Sequence, residues 1–117
     1  DLRPLVGDAW SKIMHPETKF TEVPGETFGH EIAVYGLQRC EPCREARQFM
    51  EQKGWGYRYV HLERQPQELR QQIKKDFAKA HGGRPVFPVL EIDGEYHFGF
   101  NPDAWEQWIR SGEPTNE

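Results

Sequence analysis

Apolar positions along the chain fall into a few runs with recognisable periods. Ile32, Ala33, Val34 and Tyr35 are consecutive. A run without alternation suits a central strand covered on both faces, here within residues 30–35. Over residues 41–53, Cys43, Ala46, Phe49 and Met50 recur at spacings of three and four, the stripe of an amphipathic helix. Gly54 closes that helix from just past its end. Residues 57–62 (Tyr-Arg-Tyr-Val-His-Leu) are rich in β-formers and predict a second strand. One helix separates the two strands, so they run parallel. Leu69, Ile73 and Phe77 then follow at i, i+4 and i+8, with Ala80 one turn on. Pro66 opens this second helix and Gly82-Gly83 ends it. Residues 86–92 predict a strand interrupted near its start by Pro88. Asp93-Gly94 is a two-residue hairpin signal, and Tyr96 to Phe98 is the return strand. Asn101 caps a last helix and Pro102 opens it, with Ala104, Trp105, Trp108 and Ile109 as its inner stripe.

The first 29 residues differ. Pro4, Gly7, Pro16, Pro24, Gly25 and Gly29 punctuate any long element. Leu5, Trp10, Ile13 and Met14 predict one short helix over residues 5–14, and residues 19–23 a short extended piece. The segment reads as an ordered extension lying on the domain, with a mobile tail as the alternative; Trp10 favours order. The expected division is an extension over 1–29, a domain over 30–112 and a loose tail over 113–117. After residue 29 the order is β-α-β-α-β-β-α. That order gives an α/β fold with a four-stranded mixed sheet and helices on both faces.

Composition adds exclusions. A chain of 117 residues makes one domain with its own core. A net charge of -4 argues against nucleic acid as partner, because phosphate binding needs a basic face. No apolar run approaches the roughly 20 residues of a membrane helix, and no charged-then-apolar leader is visible. The start at Asp1 rather than Met implies trimming. A cytoplasmic monomer with no membrane contact is expected.

The chemistry lies in the only two cysteines, Cys40 and Cys43, at the junction of the first loop and first helix. A disulfide over two intervening residues constrains the unfolded chain little. A close pair at a helix start beside a βαβ pattern reads instead as a redox pair. The first N–H groups of a helix lack intrahelical partners, and the peptide dipoles add positive potential there. A thiolate at that end is stabilised and becomes nucleophilic near neutral pH. Cys40 is the expected nucleophile and Cys43 the resolving thiol. Arg39 and Arg44 flank the pair and favour the thiolate, partly offset by Glu41. Pro42 lacks an N–H, which costs little at a helix start and stiffens the turn. Tyr35 and Phe100 are candidates for the groove wall or equally for packing. Lys74-Lys75, with Gln71, Gln72 and Asp76, reads as a solvated helix face. The five histidines have neither i, i+4 pairing nor ligand spacing with the cysteines, so no metal and no cofactor are expected.

A Cys-X-X-Cys opening the first helix of this element order resembles the thioredoxin fold, and in its details the glutaredoxin branch. The stretch from Val34-Tyr35-Gly36 to Cys40-Glu41-Pro42-Cys43 is similar to the glutaredoxin active-site turn. Phe87-Pro88-Val89 matches the place of the family's cis-proline, which faces the redox pair. Gly99-Phe100-Asn101-Pro102-Asp103 resembles the turn of glutaredoxin-like redoxins that donate electrons to ribonucleotide reductase. The resemblance implies that Pro88 is cis and leaves the Phe87 backbone open to an extended substrate. It also implies that Gly99 admits close approach by a partner. Pro42 stands where ordinary glutaredoxins carry Tyr, and Phe100-Asn101 replaces the corner that holds the glutathione tail. The implied activity is thiol–disulfide exchange on protein or small-molecule disulfides, with electrons from a flavin- or ferredoxin-linked reductase. Two alternatives are an iron–sulfur module holding a cluster through Cys40 of two chains, and a docking module working through residues 1–29.

Overall fold

The unbroken apolar run becomes the innermost strand of the sheet. The computed structural model describes residues 18–110. In chain order these form β1 (Thr21–Val23), β2 (Ile32–Gly36), α1 (Glu41–Lys53), β3 (Tyr57–His61), a 3-10 turn (Leu62–Arg64), α2 (Gln67–His81), β4 (Val89–Ile92), β5 (Glu95–Phe98) and α3 (Pro102–Arg110). The spatial strand order is β1-β3-β2-β4-β5. β2 and β3 are parallel, and the other neighbouring pairs are antiparallel. The helix expected over residues 5–14 and the tail over 113–117 lie outside the described residues.

Every residue of β2 is buried because both faces of the sheet are covered. Ile32 and Val34 pack with Ala46 and Met50 of α1 and with Trp105 and Ile109 of α3. Ala33 and Tyr35 pack on the opposite side with Leu69, Ile73 and Phe77 of α2. The mixed α/β architecture read from the sequence holds, with one correction: the sheet has five strands, not four. The added strand is β1, which pairs Thr21, Glu22 and Val23 with Tyr59, Arg58 and Tyr57 and covers the outer edge of β3.

Three local expectations also change. The ladder of β4 begins at Val89 rather than residue 86. Pro88 has no N–H to donate, so regular pairing starts after it. Trp108 leaves the inner stripe of α3: it is 37 % exposed, and its ring stacks on His97 at 4.0 Å. Ala80 is exposed, so the buried stripe of α2 stops at Phe77. The Asp93-Gly94 hairpin forms as read. Both residues adopt positive φ, 52° and 91°, which matches the right-handed twist of the flanking strands.

Residues 18–29 are tied to the sheet by backbone contacts. The Lys19 N–H donates to Gln65 Oε1 at 2.8 Å, and Gln65 Nε2 donates back to the Lys19 carbonyl at 2.8 Å. The Glu26 N–H donates to the Gly54 carbonyl at 3.0 Å, and the Gly56 N–H donates to the Glu26 carbonyl at 2.8 Å. This reciprocal pairing brings two main chains together at Gly25 and Gly56. A Cβ on Gly56 would lie 2.7 Å from the Gly25 nitrogen and oxygen. Neither backbone can retreat without breaking those hydrogen bonds. Gly56→Ala is therefore expected to destabilise the fold by about 1–3 kcal/mol, the usual cost of overpacking, read as a lower urea midpoint at unchanged m-value.

Candidate active site

α1 begins where the chain leaves β2, and Cys40 is its N-cap. Its backbone is extended (φ -143°, ψ 103°), and its Sγ accepts the Cys43 N–H at 3.2 Å. The sulfur thus takes the place that a serine or aspartate oxygen occupies at other helix starts. Cys40 and Cys43 are joined by a disulfide with Cα atoms 5.2 Å apart. Their surroundings differ. Cys43 is buried, at 2 % exposure, whereas Cys40 is partly exposed. Solvent contact is thus greater at Cys40 than at Cys43. Glu41 and Pro42 form the first turn, where the missing proline N–H has no intrahelical acceptor to lose. The loop before Cys40 is anchored by the Gln38 N–H, which donates to Glu63 Oε1 at 2.9 Å.

A groove of about 510 Å³ opens beside Cys40, bounded by Leu37, Arg39, Cys40, Glu41, Pro42, Lys74, Arg84, Pro85 and Phe87. It brings together four of the sequence candidates: Arg39, Cys40, Pro42 and Phe87. Cys43 lies inward of Cys40. Pro88 is buried next to Phe87, and the Phe87–Pro88 peptide bond is cis.

The remaining candidates lie elsewhere. Tyr35 is in the core at 0 % exposure, with its ring edge-on to Phe77 at 5.0 Å. It takes the packing role because β2 is covered on both faces. Gly99 adopts φ 89°; its N–H donates to the Pro88 carbonyl at 2.9 Å, and its carbonyl accepts the Trp105 indole N–H at 3.1 Å. Phe100 packs between Phe49 and Trp105, with centroids at 5.6 and 5.0 Å. The Gly99–Phe100 corner thus fastens α3 to the sheet rather than lining the groove. Arg44, read as a flanking cation, is ion-paired with Glu41 at the surface, and Glu41 raises its pKa.

Two groove cations escape the sequence reading. By its pattern Lys74 belongs to a solvated helix face, and it is exposed, but that face borders the groove. Arg84 follows Gly82-Gly83 and carries no local signal. A third omission is Glu91, fully buried in β4 at 0 % exposure. Its Oε1 accepts the Tyr35 hydroxyl at 2.7 Å, and its Oε2 has no partner among the described residues. Burial pushes its pKa up to about 7; the Tyr35 hydrogen bond opposes the shift and the charge of Glu31 adds to it. The Tyr96 hydroxyl, on the residue paired with Glu91 in the ladder, is also without a partner among the described residues. Burial first, and Glu91 and Asp76 after it, raise the Tyr96 pKa. Among the described residues, no group of three or more His, Cys, Asp or Glu side chains is arranged to hold a metal ion. Nor is any helix among them long and apolar enough to cross a membrane.

A family model described as Glutaredoxin matches residues 32–97, more than half of the chain. No curated protein matches. Among solved structures, the glutaredoxin from Methanosarcina mazei Go1 superposes with a TM-score of 0.67 at 20 % identity, over 78 % of this chain and 87 % of its own. Methanosarcina acetivorans methanoredoxin gives 0.63 at 20 % identity, over 80 % and 96 %. The glutaredoxin from Archaeoglobus fulgidus gives 0.60 at 22 % identity, over 70 % and 88 %. At these identities the likeness establishes a common fold, the mixed thioredoxin-like sheet with its helices.

Proposed function

The chain belongs to the glutaredoxin family and is a thiol–disulfide oxidoreductase; from that premise we propose that it works as a dithiol electron carrier. The observation that supports this reading is the unequal exposure of two bonded sulfurs at one helix N-terminus. In the reduced protein the Cys40 thiolate attacks one sulfur of a substrate disulfide. That S–S bond breaks, a mixed disulfide forms and the departing sulfur takes a proton. Cys43 then loses its proton and attacks Cys40. The internal disulfide closes and the second substrate thiol leaves. Two electrons pass to the substrate, and a reductase dithiol returns them to the protein. Arg39, Pro42 and Phe87 flank the reacting sulfur, and the backbone before Pro88 is the pairing edge for an extended substrate.

The electron donor in this reading is a flavin- or ferredoxin-linked reductase rather than glutathione. Support comes from Phe100, which fills the corner against Phe49 and Trp105. The protein acts as a monomer in the cytoplasm, where the reducing poise keeps such a pair in its dithiol form. The test offers the oxidised protein three donors in turn: glutathione with its reductase, a flavin-dependent thioredoxin reductase, and a ferredoxin-coupled reductase. Rapid reduction by one of the last two is expected. Rapid reduction by glutathione alone would overturn the assignment of the donor.

A further inference from the structure

One buried carboxyl takes no part in the exchange yet sits in the sheet behind it. Glu91 lies in β4 at 0 % exposure, a few residues after Pro88. Its Oε1 accepts the hydroxyl of Tyr35 at 2.7 Å, and Tyr35 stands next to the end of β2. β2 runs into the loop that carries Cys40, and β4 begins directly after Pro88. Ala33 pairs with Glu91 and Tyr35 with Val89. The Tyr35–Glu91 bond therefore crosses the ladder diagonally, on the face covered by α2. It joins the two strands that carry the cysteine loop and the substrate-pairing edge.

The surroundings of Glu91 suit a neutral acid. Its Oε2 and the hydroxyl of Tyr96, its ladder partner in β5, have no partner among the described residues. Glu31, ahead of β2, and Asp76 of α2 add negative charge around the two. Arg58 of β3 is on the same face, but its guanidinium lies over the Phe20 ring at 5.1 Å. Arg70 of α2 donates to the Glu63 carbonyl at 3.2 Å, and His81 at the end of α2 packs on Phe98 at 4.7 Å. A charge at 0 % exposure is cut off from bulk solvent and is costly there. Ionisation therefore favours a form in which β4 shifts from under α2, and the backbone before Pro88 moves with it.

We propose that Glu91 is a positioning residue for thiol–disulfide exchange: neutral, it keeps β4 seated under α2 and the substrate-pairing edge in place beside Cys40; ionised, it releases that edge. The proposal rests on the oxidoreductase reading and deepens it by naming a group that regulates substrate engagement.

The test follows oxidation of the pre-reduced protein by excess disulfide from pH 5.5 to 8.5, for the unaltered protein and Glu91→Gln. The temperature is one at which circular dichroism shows both folded throughout. Two disulfides are compared: a synthetic peptide closed by one disulfide, which can pair with the edge, and hydroxyethyl disulfide, which is too small to do so. In each reaction the substrate S–S bond breaks, the Cys40–Cys43 bond forms, and two electrons and two protons pass to the substrate. Gln cannot ionise and keeps an acceptor for Tyr35. The half-saturating peptide concentration of the unaltered protein, relative to the variant, is expected to rise about fivefold across the range. The step should centre near pH 7. The relative rate with hydroxyethyl disulfide should stay flat. Ionisation of Cys40 is common to both proteins and cancels. A carboxyl that only stabilised the fold would leave the peptide ratio flat, and that result would overturn the proposal. An equal step with hydroxyethyl disulfide would also overturn it, by placing the effect at the sulfurs rather than at the edge. Tyr35→Phe supplies a second variant that keeps the carboxyl. The Tyr35 hydrogen bond favours the charged form, so its loss should move the step to higher pH, and a step left in place would count against Glu91. If neither disulfide oxidises any of the proteins at any pH, the oxidoreductase reading fails and the proposal with it.

Discussion

Replacing Cys40 by Ser is expected to lower disulfide reduction on the order of 10³-fold or more, the scale on which removing a nucleophile acts. Cys43→Ser should behave differently. The first attack still proceeds, but nothing displaces the substrate, so a mixed disulfide between Cys40 and a protein substrate accumulates on a non-reducing gel. The contrast follows from position. Cys40 holds the helix cap at the edge of the groove, whereas Cys43 is buried behind it. Equal loss in the two variants, with no trapped species in either, would count against distinct roles.

Glu91 carries the second large effect, on stability. Its carboxyl is raised from 4.5 to about 7 in the folded protein, chiefly because burial penalises the charged form. A raised acid binds its proton more tightly folded than unfolded. Its contribution to stability is therefore complete below about pH 4.5 and is lost as pH rises through about 7. The loss amounts to about 3 kcal/mol, since each tenfold change in proton affinity is worth roughly 1.4 kcal/mol. Glu91→Gln removes the ionisation. Its amide oxygen can still accept the Tyr35 hydroxyl, and its NH2 faces the region where Oε2 and the Tyr96 hydroxyl now lack partners among the described residues. Denaturation across pH 4.5–8.5 should give similar stabilities for the two proteins at the acid end. Gln should be ahead by about 2–3 kcal/mol at the alkaline end. His97, whose pKa burial lowers, has the opposite pH dependence, weakening the fold as pH falls. It is common to both proteins and drops out of the difference. A difference that does not change with pH would refute the Glu91 account.

The sequence carried the elements whose periods are local. The stripes of α1 and α2 and the Asp93-Gly94 turn depend on neighbours a few residues away. So does the Asn101 cap, whose Oδ1 accepts the Ala104 N–H at 3.2 Å. The fifth strand was not legible as one. Thr21–Val23 is three residues with two exposed side chains, and it is a strand only because β3 lies beside it in the finished sheet. Glu91 interrupts an apolar run in β4 and gives no sign of burial. It is covered because β2 and β5 flank its strand and α2 closes over Tyr35 on the same face. Tyr35 shows the same limit in reverse, since an unbroken run does not say which residue faces which layer.

At the site, the cysteine pair stood out by spacing alone, and Pro88 and Gly99 by family resemblance. Lys74 and Arg84 did not stand out. A helix face reads as solvated whether it meets bulk water or a groove, and only the packing of α2 against the sheet puts Lys74 near Cys40. Phe100 was readable as an aromatic at a turn but not as a plug. That role needs Phe49 and Trp105 on either side, from two different helices.

The central claim is that the helix start makes Cys40 a stabilised thiolate while Cys43 stays protected. The most direct measurement is the pH dependence of iodoacetamide alkylation of the reduced protein, with the site of labelling read by mass spectrometry. The account predicts labelling at Cys40 first, with a midpoint below the value of about 8.5 for free cysteine. Labelling of both cysteines at similar rates, with midpoints at or above that value, would contradict it.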